Sequence, residues 1–197
     1  MARWEPDARG RLEKAAMELF ETRGYVQTTV QEIATHAGLT ERTFFRYFSD
    51  KREVLFSGSK ELEKSIIDSV ESAPCDANPL DVVVGAFEAA GGELQDRRDL
   101  SFVRARYGLV TKHAEIQERE LIKLASLAAA VTQALHARGV AEPAASLAAE
   151  AGIAIFKIGF ERWVRERKPL DFAAHIREAA AVLQALTAGG KPPNERG

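Results

Sequence analysis

Apolar residues recur with the period of an α-helix along nearly the whole of this 197-residue chain. Near the N-terminus they stand at positions 12, 15, 16, 19 and 20, which is the spacing of a helix with one buried face. Alanine- and leucine-rich segments with helical spacing continue to about residue 186, and no useful stretch alternates apolar and polar residues as a strand does. The pattern therefore predicts an all-α fold of about nine helices.

Two short helices are predicted directly after the first helix. Thr29 and Glu32 have the spacing of a capping box, in which each side chain accepts a hydrogen bond from the other residue's backbone N–H. Gly38 ends the helix that Thr29 opens, and Thr40 can cap the next one. Three helices joined by such tight turns are the minimum needed to present one helix to the major groove of DNA.

Breaks in the helical pattern predict the domain boundaries. Asp50 and Glu53 repeat the capping-box spacing and predict that a longer fourth helix begins there. Prolines at positions 74 and 79 then interrupt the pattern, and the last residues contain glycine and proline without core-forming side chains. We expect a three-helix domain over residues 1–50, a connecting helix over about 51–72, a larger helical domain over 73–188 and a disordered tail over 189–197.

The charge of the chain limits how it can bind nucleic acid. Its formal net charge is −2, whereas proteins that coat nucleic acid by bulk attraction are strongly basic. Residues 40–52 nevertheless hold four basic side chains against two acidic ones. The single cysteine, Cys75, cannot form an internal disulfide, and the chain shows neither a signal peptide nor an apolar membrane span. We therefore expect a cytoplasmic protein that contacts no membrane and binds DNA only locally.

Motifs for catalysis and for metal binding are missing from the sequence. The four histidines never stand at metal-ligand spacing, and no glycine-rich phosphate loop follows a strand. Ser57 and Lys60 match the S-x-x-K pattern, but the companion motifs of that enzyme class are absent. We predict no enzyme activity, no metal and no cofactor.

Residues 28–56 read TTVQEIATHAGLTERTFFRYFSDKREVLF. This segment resembles the N-terminal domain of the TetR family of helix-turn-helix transcriptional regulators. The resemblance covers roughly the first third of the chain, and the remainder is similar only in its all-helical layout. The shared elements are paired threonines, an Ile-Ala pair, an Ala-Gly turn, a threonine followed by aromatic residues, a Tyr-Phe pair and a lysine, which here are Thr28, Thr29, Ile33, Ala34, Ala37, Gly38, Thr43, Phe44, Phe45, Tyr47, Phe48 and Lys51.

The resemblance implies a homodimeric repressor that binds double-stranded DNA at a palindromic operator and responds to an unidentified small-molecule effector. It also implies that Tyr47 and Lys51 hold phosphates, and that Thr29 binds a phosphate unless it only caps its helix. Arg42 and Arg46 are long enough to reach a guanine edge or a phosphate. The expected DNA contacts are Thr29, Thr40, Arg42, Thr43, Phe45, Arg46, Tyr47 and Lys51.

Thr40 either meets DNA or, like Thr29, only caps its helix, and two further residues have alternative interpretations. Phe45 stands where the family often has a tyrosine, and its ring either presses on a thymine methyl group or completes the core of the three helices. Arg46 either reaches DNA or pairs with Asp50 four residues later on the same helix face.

The second domain is expected to bind the effector and to form the dimer. Gly152 and Gly159 lie inside a predicted helix, where each costs about 1 kcal/mol relative to alanine. Close approach of another helix would compensate, either across a dimer interface or within one subunit. Phe102, Arg106 and Tyr107 could line an effector pocket, although core packing and surface solvation also explain them.

Overall fold

The computed structural model describes residues 7–167 and 171–189. Within these ranges all regular structure is helical, which confirms the all-α prediction, and none of the helices is long and apolar enough to cross a membrane. The part of the predicted tail beyond residue 189 lies outside the described residues. The helices are α1 (Ala8–Arg23), α2 (Val30–His36), α3 (Glu41–Tyr47), α4 (Ser59–Ser72), α5 (Pro79–Arg97), α6 (Leu100–Lys112), α7 (Ala114–Ala137), α8 (Ala144–Arg165) and α9 (Phe172–Thr187), with a 3₁₀ turn at Glu53–Phe56.

The chain divides into two compact units. Among the described residues, the N-terminal unit combines 7–59 with 101–117, and the C-terminal unit combines 60–100 with 118–167 and 171–189. The first unit is therefore discontinuous in sequence, because it includes most of α6 and the beginning of α7.

The core of the N-terminal unit joins the faces of α1, α2 and α3. Leu12, Ile33 and Phe44 are completely buried, one from each helix. The ring of Phe44 also packs against that of Phe48, with centroids 5.5 Å apart. Because each of the three helices buries one apolar face, the remaining faces of the two short helices are free to carry polar side chains.

The fourth helix begins later than the sequence predicts. The carboxylate of Asp50 does accept hydrogen bonds from the backbone N–H groups of Arg52 and Glu53, but the element that follows is a 3₁₀ turn at Glu53–Phe56 and not an α-helix. Gly58 then adopts a φ of +85°, which a continuous α-helix does not allow. Helix α4 therefore starts at Ser59 rather than near residue 51.

The C-terminal unit is built around the packing of α5, α8 and α9. A Cβ added to Gly152 would lie 2.3 Å from Cγ1 of Val83 on α5, and one added to Gly159 would lie 3.1 Å from the backbone oxygen of His175 on α9. The close helix approach predicted from the two glycines thus occurs within one subunit. Of the two alternatives, packing inside the chain is the one observed at these positions.

Candidate nucleic-acid interface

A complete capping box begins α2. The Thr29 hydroxyl accepts from the backbone N–H of Glu32 over 3.2 Å, and the Glu32 carboxylate accepts from the backbone N–H of Thr29 over 2.9 Å. Arg23 adds an ion pair of 2.9 Å to the same carboxylate. Together these contacts, first among them the backbone hydrogen bond from Thr29, hold the pKa of Glu32 below its ordinary value. Capping is therefore an observed role of Thr29, and its phosphate contact stays a prediction.

The turn between α2 and α3 is set by Gly38 and Thr40. Gly38 has a φ of +67°, and the guanidinium of Arg11 donates to the neighbouring Ala37 carbonyl. The Thr40 hydroxyl accepts from the backbone N–H of Thr43 over 3.2 Å and lies 3.0 Å from the Thr43 hydroxyl. Thr40 is therefore the N-cap of α3, as the sequence predicts, and the two threonines are paired with each other.

The surface of α3 is sharply divided between buried and exposed residues. Phe44 is buried, as is Phe48 just after the helix, whereas Arg42, Arg46 and Tyr47 are exposed. The helix has seven residues, so these exposed side chains cover most of its outer face. This outer face, together with Phe45, is called the α3 face below.

The arginine at position 46 is held by its neighbour rather than by Asp50. Its guanidinium donates to the Tyr47 hydroxyl over 3.1 Å and its Cζ atom lies 4.9 Å from the centroid of the Tyr47 ring. Asp50 pairs instead with Arg52, at 2.8 Å. The alternative of a pair between Arg46 and Asp50 is therefore wrong, because α3 ends at Tyr47 and the two residues do not share a helix face.

Phe45 does not complete the core. Its exposed fraction is 54%, and its ring stands edge-on against that of Phe44 at 5.6 Å and 82°. The core interpretation of Phe45 is wrong because the inward-facing position of α3 is already filled by Phe44.

Lys51 is held by the loop that precedes α2. Its ammonium group donates to the carbonyl of Tyr25 over 2.8 Å and to that of Thr28 over 3.0 Å, and it lies 4.3 Å from the centroid of the Tyr25 ring. These contacts position the loop that ends at Thr29. A phosphate contact by the same ammonium group stays a prediction.

Tyr25 is a residue that the sequence reasoning missed. It is 1% exposed and its ring lies 4.9 Å from that of His113. Burial raises the pKa of Tyr25, and the carboxylate of Glu115 raises it further. The available signal was an aromatic residue directly after Gly24, where α1 ends, because an aromatic ring has a large apolar area that favours burial.

The candidate effector residues lie in the N-terminal unit. Arg106 donates through Nε to the Leu55 carbonyl over 2.6 Å, and its guanidinium lies 5.1 Å from the centroid of the Phe56 ring. Phe102 packs against the core of the same unit, and Tyr107 is half-buried. The structure thus gives Arg106 a binding partner in the 3₁₀ turn, and an effector contact by these residues stays a prediction.

The hydroxyl of Ser57, which belongs to the S-x-x-K pattern, is part of a bracing contact. It donates to the buried carboxylate of Glu13 and accepts from Nε of Arg9 over 2.7 Å. These hydrogen bonds tie the end of the 3₁₀ turn to α1.

The N-terminal part of the chain is similar in sequence to bacterial regulators. Residues 12–57 match the sequence model described as bacterial regulatory proteins, tetR family. The transcriptional regulator TcmR of Streptomyces glaucescens is 38% identical over 88 residues, which are 45% of this chain and 39% of TcmR. The chain therefore spans about two fifths of the length of that curated relative.

Solved structures are similar over nearly the whole chain. FadR of Thermus thermophilus, a TetR-family transcriptional repressor in complex with lauroyl-CoA, is 22% identical with a TM-score of 0.55, and the match covers 96% of this chain and 100% of that one. A TetR-family regulator from Syntrophomonas wolfei is 19% identical with a TM-score of 0.65, covering 95% and 98%. These likenesses confirm the predicted fold of an N-terminal helix-turn-helix domain followed by a larger helical domain.

Proposed function

We propose that this chain, whose residues 12–57 match the tetR family of bacterial regulatory proteins, is a repressor that binds a palindromic DNA operator. The observation that carries the proposal is the α3 face, which presents two arginines, a tyrosine and a phenylalanine on a helix whose inward-facing residue, Phe44, is completely buried. A helix with this division of surfaces can enter the major groove without disturbing its own packing.

In the proposed complex, the α3 face contacts bases and the flanking groups contact the backbone. Arg42 and Arg46 provide the only side chains on α3 that can make bidentate hydrogen bonds to guanine. Tyr47 orients Arg46 by the contact described above, so that the guanidinium is positioned before binding. Thr29, Thr40 and Thr43 complete the proposed set through hydroxyl groups near the starts of α2 and α3, while Lys51 fixes the loop between them and the first helix.

We also propose that the chain is a homodimer formed through α8 and α9. Leu147 and Ile158 are 66% and 54% exposed, and their separation of eleven residues puts them on the same side of α8. Leu186 on α9 is also exposed. Exposed apolar side chains that share one side of a helix are typical of a protein interface. A two-fold dimer would place two copies of α3 about 34 Å apart, which is one turn of DNA.

Effector control is the third part of the proposal. The similar structure of T. thermophilus FadR is a complex with lauroyl-CoA, which supports a small-molecule effector for a protein of this fold. Within the N-terminal unit, Arg106 links α6 to the 3₁₀ turn, so a shift of α6 on effector binding would move residues next to the helix-turn-helix. A coupling of about 1–3 kcal/mol between effector and operator would be sufficient for a useful switch.

Selection of bound sequences from random duplex DNA tests the operator proposal. We expect a palindrome, and Arg42→Ala should weaken its binding and reduce the slope of log K against log salt by about 1 if Arg42 holds a phosphate. If Arg42 instead reads guanine, the loss should fall on one base position. Arg97→Ala on α5 removes the same charge elsewhere and should change neither quantity. Absence of any enriched sequence with folded protein would contradict the proposal.

The homodimer is tested by a charge placed on the exposed face of α8. Ile158→Glu should convert the protein to a monomer in analytical ultracentrifugation and abolish palindrome binding at the same protein concentration. Leu121→Glu on α7 is the matched control, since Leu121 is an equally exposed apolar residue at 52%. A dimer that persists in Ile158→Glu would show that this face is not the interface.

A further inference from the structure

We propose that Phe45 reads a thymine in each half of the operator through direct contact with its C5 methyl group. This inference rests on the DNA-binding function proposed above and assigns one specificity-determining residue to it. Phe45 is a phenyl ring without a donor or acceptor, so it cannot hydrogen-bond to a base edge or to a phosphate. The thymine methyl is the one apolar group that base pairs present in the major groove.

The exposure of Phe45 is not required by the fold. The inward side of α3 is filled by Phe44 and Phe48, which are 0% and 4% exposed, while more than half of the Phe45 surface remains accessible. A polar residue at this position would leave that packing intact and would avoid exposing an aromatic ring to water. The apolar character of position 45 is therefore explained by a contact that forms outside the unit.

The ring is also held in place. It stands edge-on against the buried ring of Phe44 at 82°, an arrangement that is favourable for aromatic pairs. The helix that carries it is capped at its start by Thr40 and closed at its end by the Phe48 backbone N–H, which donates to the Phe44 carbonyl. A braced side chain loses little conformational entropy on binding, so more of the contact energy is kept as affinity.

The neighbours of Phe45 define what surrounds the methyl contact. Arg42 lies three residues earlier and is therefore adjacent to Phe45 on the helix surface. A guanidinium that binds the DNA next to the ring would fix the depth of α3 in the groove. The proposed half-site therefore contains a thymine directly beside the base or phosphate that Arg42 contacts.

The experiment removes only the methyl group. Each thymine of the selected operator is replaced by deoxyuridine, one symmetry-related pair at a time, and the Kd of the wild-type protein is measured at fixed salt. We expect one pair to weaken binding by about fourfold per half-site, the factor expected for one buried methyl group. The other thymine pairs should have little effect.

Variants of the protein connect that thymine to Phe45. In Phe45→Ala, the penalty for deoxyuridine at the sensitive position should disappear, because the contact is already lost. In Phe45→Leu, which keeps an apolar side chain, part of the penalty should remain. Thermal unfolding of each variant checks that the unit is folded, which the exposure of the ring favours.

Three results would overturn the inference. A wild-type protein that binds the palindrome equally well with every thymine replaced would exclude methyl reading while leaving the DNA-binding function intact. A deoxyuridine penalty that persists unchanged in Phe45→Ala would assign the methyl contact to another residue. A wild-type protein that selects no DNA sequence would remove the proposed function and this inference with it.

Discussion

Replacing Gly152 by alanine should destabilise the C-terminal unit. The new Cβ would lie 2.3 Å from Cγ1 of Val83 and 3.0 Å from Cε2 of Phe87. Both side chains are buried, so neither can turn into solvent to relieve the contact. Overpacking of this severity costs about 3 kcal/mol, and alanine recovers about 1 kcal/mol of helix propensity. We expect the free energy of unfolding to fall by about 2 kcal/mol and Tm by about 4–8 °C.

The assay is urea unfolding followed by far-UV circular dichroism at equal protein concentrations, because a dimer would make stability concentration-dependent. Gly85→Ala is the matched control, since Gly85 lies in α5 with no atom within 4 Å of an added Cβ. It should raise the free energy of unfolding by about 0.5–1 kcal/mol. If Gly152→Ala is as stable as the wild type, α5 and α8 can move apart at no cost, and their close approach does not require a glycine at position 152.

Three further predictions concern the N-terminal unit. Because hydrogen bonds lower the pKa of Glu32, its carboxylate stabilises the fold fully at pH values above its ordinary pKa of 4.5, and this contribution is lost as the pH falls through the lowered pKa. Glu32→Gln should therefore flatten the acid side of a plot of the free energy of unfolding against pH. Lys51→Met should lower the free energy of unfolding by about 1.5–3 kcal/mol through loss of its carbonyl contacts, and an unchanged stability would refute that role. If Lys51 also holds a phosphate, as predicted, the same variant should reduce the slope of log K against log salt by about 1. Arg106→Met should destabilise the unit by a similar amount, about 1.5–3 kcal/mol, measured by urea unfolding, and an unchanged stability would refute the role of its bond to Leu55.

Local hydrogen-bonding patterns explain what the sequence could predict. The caps at Thr29 and Thr40 depend on residues at most three positions apart, so their spacing alone identifies the starts of α2 and α3. The all-α fold follows equally from apolar spacing within each helix. The division of α3 into buried and exposed residues was also largely predictable from the phenylalanines at positions 44 and 48.

Contacts between distant segments explain what the sequence could not predict. Asp50 bonds to backbone groups as a capping residue does, yet the positive φ of Gly58 interrupts the helix that the pattern predicts. The exposure of Phe45 depends on how many rings the core can hold, and the carbonyl contacts of Lys51 involve a loop more than twenty residues earlier. The start of α4, the exposure of Phe45 and the contacts of Lys51 are determined by three-dimensional packing, which the local sequence pattern does not show.

The inclusion of residues 101–117 in the N-terminal unit affects how this protein can be recombined with others. Val110 and Ile116 are buried in the same core cluster as Leu12 and Phe44, although about ninety residues separate them in sequence from α1. A chimera made by cutting after residue 59 would therefore remove part of that core. Grafting the proposed DNA-binding unit onto a foreign sensor domain requires carrying most of α6 and the start of α7 with it, as a second, non-contiguous segment.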